Sequence, residues 1–165
     1  MPRDEGQRIA DQLARIHDGD PWYGPSTAEA LRGVTAEQAA ARPIPQAHSI
    51  WEIVLHMTAW EREILRRLQT GQVRDPEDGD WPRVPVHTEE AWRSTLARLQ
   101  SNHREVMEEV VQFPAERLDE RLGGVRDSAQ GSGVSYYVHL HGLVEHNIAH
   151  TAQISLLRKT FAPEE

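Results

Sequence analysis

Cysteine is absent from the 165 residues. That removes disulfides, thiolate nucleophiles and thiolate metal ligands together, so a bound metal must be held by imidazole nitrogen or by oxygen. No run of about 18 apolar residues occurs, and no segment is expected to span a bilayer. The charged start MPRDEGQRIADQ lacks an apolar h-region, which gives no secretory signal and makes the cytoplasm the expected location. Positive charge is scarce. Eighteen Lys and Arg against 26 Asp and Glu leave a net charge of −8, whereas neutralising a phosphate backbone needs clustered cations. Neither nucleic acid nor membrane is therefore an expected partner. The short basic cluster Arg62, Arg66, Arg67 is expected to be a solvated helix end, where cations suit the macrodipole. Internal repeats, low-complexity tracts and strand-like alternation are also missing, and residues 1–165 read as one domain. What the chain has in quantity is histidine, nine in all.

Apolar spacing predicts four long helices. The first runs from about Asp4 to His17 on the stripe Ile9, Leu13, Ile16, and Asp18-Gly19-Asp20-Pro21 ends it. Two short helical pieces follow near Thr27–Leu31 and Thr35–Ala41, closed by Pro43 and Pro45. The second long helix begins at Ser49, which forms a capping box with Glu52, and keeps its period through Ile53, Met57, Trp60, Ile64 and Leu68 to Gly71. Residues 72–87, with Pro76, Gly79, Pro82 and Pro85, read as a long loop of the kind that covers a site. The third helix spans Thr88 to about Gln112 on Leu96, Leu99, Val106 and Val110. A short piece at Ala115–Leu118 leads into the glycine-rich loop Gly123–Gly133. The fourth helix, about Ser135 to Lys159, is apolar on most sides and is expected to be the most buried. The sum is an all-α four-helix bundle with long crossover loops and short extra helices.

His146 and His150 lie four residues apart on the fourth helix, so both rings share one face with Leu143 and Leu157. Burying two imidazoles among leucines costs free energy unless their nitrogens find partners, and a metal ion is such a partner. A catalytic site of the zinc type uses three protein ligands, so a third must come from another helix. Two histidines compete. His56 sits mid-helix at the border of the second stripe, near Trp60 and Ile53; His103 sits nearer the centre of the third, between Leu99 and Val106. Spacing alone leaves both open, together with hydrogen-bonded core histidines that bind nothing.

The segment His48-Ser49-Ile50-Trp51-Glu52-Ile53-Val54-Leu55-His56-Met57-Thr58-Ala59-Trp60-Glu61 resembles the second-helix signature of the DinB/YfiT-like superfamily. Val144-Glu145-His146-Asn147-Ile148-Ala149-His150-Thr151-Ala152-Gln153-Ile154 resembles its last-helix signature. The resemblance implies a four-helix bundle, usually dimeric, in which one early and two late histidines bind nickel, zinc or a similar ion such as iron or manganese. It favours His56 over His103 as partner of His146 and His150. The late motif departs at Thr151 and Ala152, which stand where the family often has a second histidine and a glycine; Gln153 is kept.

Among the other candidates, His48, His103, His139 and Gln153 are expected as pocket-lining residues; His141, His17 and His87 are assigned to solvent. Glu61 and Asn147 are candidates for supporting the ligands, with surface positions preferred, and Trp51 and Trp60 read as core. Glu145 is not placed as in a His-Glu-x-x-His protease, and no glycine loop fits a phosphate cradle. The implied functions are a metal-dependent hydrolase or a low-molecular-weight-thiol S-transferase acting on a small molecule, with activity and homodimer inferred from the resemblance. The alternatives are a stress-responsive metal-binding bundle without catalysis, and a self-pairing bundle without metal.

Overall fold

A computed structural model describes residues 3–84, 86–124 and 128–161. Pro85 of the long loop and residues 125–127 of the glycine-rich loop lie outside the described residues. The helices are α1 (Glu5–His17), α2 (Thr27–Leu31), α3 (Ala36–Ala40), α4 (Ile50–Thr70), α5 (Glu89–Gln112) and α6 (Tyr136–Lys159), with a 3-10 turn at Ala115–Arg117. No strand forms among the described residues. Each helix start has a local cause. Asp4, Ser26, Thr35 and Ser49 cap with reciprocal bonds from the residue three positions on, and Thr88 and Ser135 cap α5 and α6 through their hydroxyls. Gly71 ends α4 at φ +69°, a left-handed conformation that glycine adopts without cost.

The long helices form a four-membered ring in which α1 and α4 each pack against both α5 and α6. Consecutive helices α1 and α4 are thus diagonal, as are α5 and α6, so both connections cross the bundle. Side-chain pairs give the directions. Trp51 bonds Thr95, Asn102 bonds the Thr58 carbonyl and Gln69 bonds Glu109, so α4 and α5 run parallel. His56 meets His146, and Arg67 meets His139, so α6 runs against α4.

Parallel neighbours impose a requirement on the chain between them. α4 is 21 residues, about 31 Å long, and residues 71–88 must return over that distance before α5 can start. They do so as a strap along α4. Arg74 O accepts from Arg67, Glu77 and Asp78 pair with Arg62, Asp80 accepts from Trp60, and Trp81 stacks on His56. The topology thereby lays loop side chains over the middle of α4.

Two apolar clusters fill the bundle. One is built on Trp51, Trp92, Ile50, Leu99 and Ile154, the other on Ile9, Leu13, Leu68, Val110 and Leu140. Between them lies a layer of buried polar side chains. α4 is the most enclosed helix, with fifteen of its 21 residues buried against nine of 24 in α6. The expectation for α6 is therefore corrected. Its inward face carries His139, Asn147, His150 and Thr151, while Val138 and Leu156 are exposed. The solvated-end expectation for the arginines also fails at Arg67, which is 1% exposed and bonds to Glu63 at 2.8 Å.

Trp51 anchors the first cluster. It is fully buried, its Nε1 donates to Thr95 Oγ1 at 3.0 Å, and its ring tilts against Trp92. Trp51→Ala is expected to cost about 3–5 kcal/mol of unfolding free energy, read from urea denaturation.

Candidate metal centre

Three imidazoles from two helices meet in the polar layer. His56 projects from α4, His146 and His150 from α6, and one nitrogen from each lies within 4.8 Å of the other two. His56 Nε2 is 2.9 Å from His146 Nε2. The ring centroids of His146 and His150 are 4.4 Å apart, and those of His56 and His150 4.7 Å. Antiparallel packing of α4 on α6 makes this meeting possible, since the four-residue spacing on α6 presents two rings to one point of α4.

The opposite ring nitrogens are all engaged by protein. His56 Nδ1 faces the Asp80 carbonyl at 2.6 Å, and a carbonyl only accepts, so that nitrogen carries the proton. His150 Nδ1 faces Gln153 Oε1 at 2.8 Å, and His146 Nδ1 faces Asn147 Oδ1 at 3.4 Å. The Asn147 amide is oriented because its Nδ2 donates to Glu61 Oε1 at 2.8 Å. With protons on Nδ1, the Nε2 lone pairs of His56 and His146 face each other, and a His150 nitrogen joins the group within 4.8 Å. Two such lone pairs at 2.9 Å repel unless a cation lies between them. An ion with bonds of about 2.0–2.1 Å in tetrahedral geometry sets ligand nitrogens roughly 3.3 Å apart, so the donor set fits a divalent metal after small side-chain rotations.

Electrostatics favours the same state. Burial, then the charges of His150 and His56, push the His146 pKa down to about 4. Burial lowers His56 against the opposing pull of Asp80, and lowers His150 against the bond it donates to Gln153. The neutral form of each ring, the one that ligates metals, is thus the form the fold prefers.

All three rings line a cavity of about 450 Å³, together with Trp60, Ile64, Asp80 and Trp81 on the near side and Arg67, Gly131 and His139 at the far end. The strap holds one wall. Trp81 stacks on His56 at 3.9 Å, and His48 stacks on Trp81 at 3.5 Å. Asp80 Oδ1 accepts from Trp60 Nε1 at 2.7 Å.

The remaining candidates separate clearly. His139 lines the cavity, and Gln153 touches it through His150. His48 lies behind Trp81. His103 is buried, but on the far side of Glu61, which it meets at 3.0 Å. Glu61 is fully buried and Asn147 is 2% exposed, so the surface placement of both is corrected. His17, assigned to solvent, is 9% exposed and stacks on His103 at 3.9 Å. His87 is exposed and His141 half-buried. Thr151 points away from the centre and bonds Thr27 Oγ1 at 2.7 Å, tying α6 to α2. Trp60 is buried as expected, yet it also walls the cavity. Asp80, Trp81 and Arg67 escaped the sequence reading. The only signal for the first two was their place in a loop long enough to cover a site.

Asn147 links His146 to the buried Glu61 carboxylate and so fixes the tautomer of a ligand. Asn147→Leu is expected to lower divalent-metal affinity about 10-fold, measured by competition with a chromophoric chelator.

A helical bundle whose polar mid-layer gathers three histidines beside a cavity defines the class: an all-α protein with a group able to hold a divalent metal. The chain belongs to the DinB superfamily, whose family model matches residues 25–154. No curated protein and no solved structure matches it.

Proposed function

We propose that the protein is a metal-dependent enzyme acting on a small molecule, with His56, His146 and His150 holding the ion. The observation that carries this reading is the convergence of one ring nitrogen from each of three histidines on the wall of a 450 Å³ cavity, since a purely structural ion would need no chamber beside it. Three neutral imidazoles leave a divalent cation its full charge and an open position, where it supplies Lewis acidity and lowers the pKa of a water or thiol bound to it.

The lining favours transfer of a thiol over hydrolysis. Ile64, Trp60, Trp81, Val134, Val138 and Leu143 make the chamber predominantly apolar, which suits an organic thiol and its electrophile. In that reaction the thiol sulfur attacks an electrophilic carbon. The C–S bond forms as the leaving group departs with its electron pair, and the thiol proton passes to solvent. The chain contains no cysteine, so the thiol is a substrate. His56, His146 and His150 position the ion, Asp80 and Gln153 hold two of those rings, and Trp60 and Trp81 shield the reacting atoms.

Untagged protein prepared without chelator is expected to retain close to one divalent ion per chain. It is also expected to consume small thiols in the presence of an alkylating electrophile, with turnover lost on chelation and restored by added metal. Turnover that survives complete metal removal defeats this proposal. Stoichiometric metal with no turnover of thiols, esters or amides would leave the non-catalytic bundle in its place.

A further inference from the structure

We propose that the far end of the cavity, at Arg67 and His139, is an anion-binding subsite that receives an acidic group of the substrate. Its assignment to the substrate rests on the cavity being the reaction chamber; its selectivity for an anion does not.

Arg67 is 1% exposed and lines the cavity. A guanidinium has five N–H donors. Three are directed at Glu63 Oε1 at 2.8 Å, Arg74 O at 2.6 Å and His139 Nδ1 at 3.5 Å. Each nitrogen thus has one partner and the guanidinium lies over the Trp60 ring at 5.5 Å, which leaves one N–H on each of Nη1 and Nη2 without a hydrogen-bond acceptor among the described residues. Burying a guanidinium with donors unsatisfied is costly unless something accepts from them.

Charge bookkeeping points the same way. The Glu63 carboxylate is shared, since Arg66 also bonds it at 2.8 Å, so one negative charge faces two positive ones. The third group at this end adds no negative charge. His139 Nδ1 lies 3.5 Å from Arg67 Nη1 and its Nε2 is buried without a partner among the described residues; burial first, then the Arg67 charge, lowers its pKa to about 4 against the opposing pull of the Gly131 backbone and Glu63. The cluster keeps a net positive charge and offers donors only. Guanidinium and imidazole N–H groups together suit a carboxylate or another oxyanion.

The loop backbone closes in on this end. Gly131 adopts φ +80°, and a Cβ there would lie 2.7 Å from His139 Cε1 and 3.1 Å from Arg67 Nη1. Glycine is needed for both reasons, and it lets the cavity wall come up against Arg67 and His139.

The distance to the metal centre sets the length of the ligand. His139 and His146 are seven residues apart on α6, about 10 Å along the axis; Gly142 and Leu143 lie between them on that helix and line the cavity with Ile64. The subsite therefore selects an elongated molecule, with the reacting group at one end, an apolar middle and an acid at the other.

Octanoate and octanamide match that span and differ only in the end group. Titrated calorimetrically at pH 7.5 into full-length, chelator-treated protein, octanoate is expected to bind at least ten-fold more tightly. His139→Phe keeps the ring volume and is expected to weaken octanoate several-fold while leaving octanamide unchanged. Arg67→Met is expected to abolish the preference; because it strands Glu63, its fold is checked by circular dichroism, and His139→Phe carries the test if it does not fold. Equal affinity for the two ligands, no octanoate binding, or a preference untouched in His139→Phe overturns the subsite. Failure is separable from failure of the metal reading. Protein that takes up zinc but shows no preference loses only the subsite, and a preference in protein that never binds metal removes only the metal-dependent reaction.

Discussion

His146→Ala is expected to lower divalent-metal affinity by more than about 100-fold and to abolish metal-dependent turnover, while the chain stays folded. Two imidazoles from different helices rarely hold a catalytic ion, for which three protein ligands are usual. Supporting groups alone change affinity by 10- to 100-fold when removed, and loss of a direct ligand exceeds that. His146 is the informative choice because its Nε2 lies 2.9 Å from His56 Nε2. It is also held neutral by burial and by two neighbouring imidazoles. Its removal relieves crowding of like lone pairs in the metal-free protein, so the stability cost is expected to stay within about 1–2 kcal/mol. Chelator competition gives the affinity, and His87→Ala, an exposed position, is the control. A metal affinity for His146→Ala within ten-fold of the parent would sink the three-histidine centre.

Acid is expected to unfold the metal-free protein in the window from about pH 6.5 to pH 4. His17, His139 and His146 each have a pKa lowered to about 4, first by burial and then by nearby positive or like-charged groups. The unfolded chain has ordinary histidines near 6.5. Between those values the unfolded state binds protons that the folded state refuses, so stability is complete above pH 6.5 and falls as the pH drops toward 4. A shift of that size is worth about 3 kcal/mol per group. Halved for residual contact with water, three groups still remove on the order of 5 kcal/mol, against a typical domain stability of about 5–15 kcal/mol. Carboxylates held low by arginine, such as Glu63, lose their contribution only at lower pH, so the upper part of the window belongs to histidine. Urea denaturation in the presence of chelator at pH 7.5, 6 and 5 measures the slope. Stability that is flat or rises between pH 7.5 and 5 contradicts the burial of these rings in neutral form. Metal steepens the dependence further, because protons and the ion compete for the same nitrogens.

Much of this was legible from local pattern. The helix starts followed from capping residues whose partners lie three positions away, as at Ser49 and Glu52. The end of α4 followed from Gly71, and the pairing of His146 with His150 from helical period alone. Choosing between His56 and His103 was not possible from periodicity, because both occupy semi-apolar stripes. The difference lies in which neighbour each stripe faces. α4 packs on α6 with His56 toward His146, whereas His103 on α5 is met by Glu61 and His17.

α6 shows why an apolar count misleads at a functional site. Four of its nine buried residues, His139, Asn147, His150 and Thr151, are polar, while apolar residues such as Val138 and Leu156 are left outside. Glu61 and Arg67 looked like surface charges because ionisable side chains are rarely buried. Each is buried because partners from other segments meet it, Asn147 on α6 for the carboxylate, and the strap carbonyl of Arg74 with His139 on α6 for the guanidinium.

The sequence by itself determined the helices, their caps and the two imidazoles on α6, since those depend on contacts within four residues. Tertiary structure alone decided that α4 and α5 run parallel. It thereby decided that residues 71–88 return along α4 and place Asp80 and Trp81 against His56. It also decided the burial of Arg67 beside His139. Those features depend on pairs as much as 90 residues apart, and no local energy term in the chain specifies which distant partner a side chain will meet.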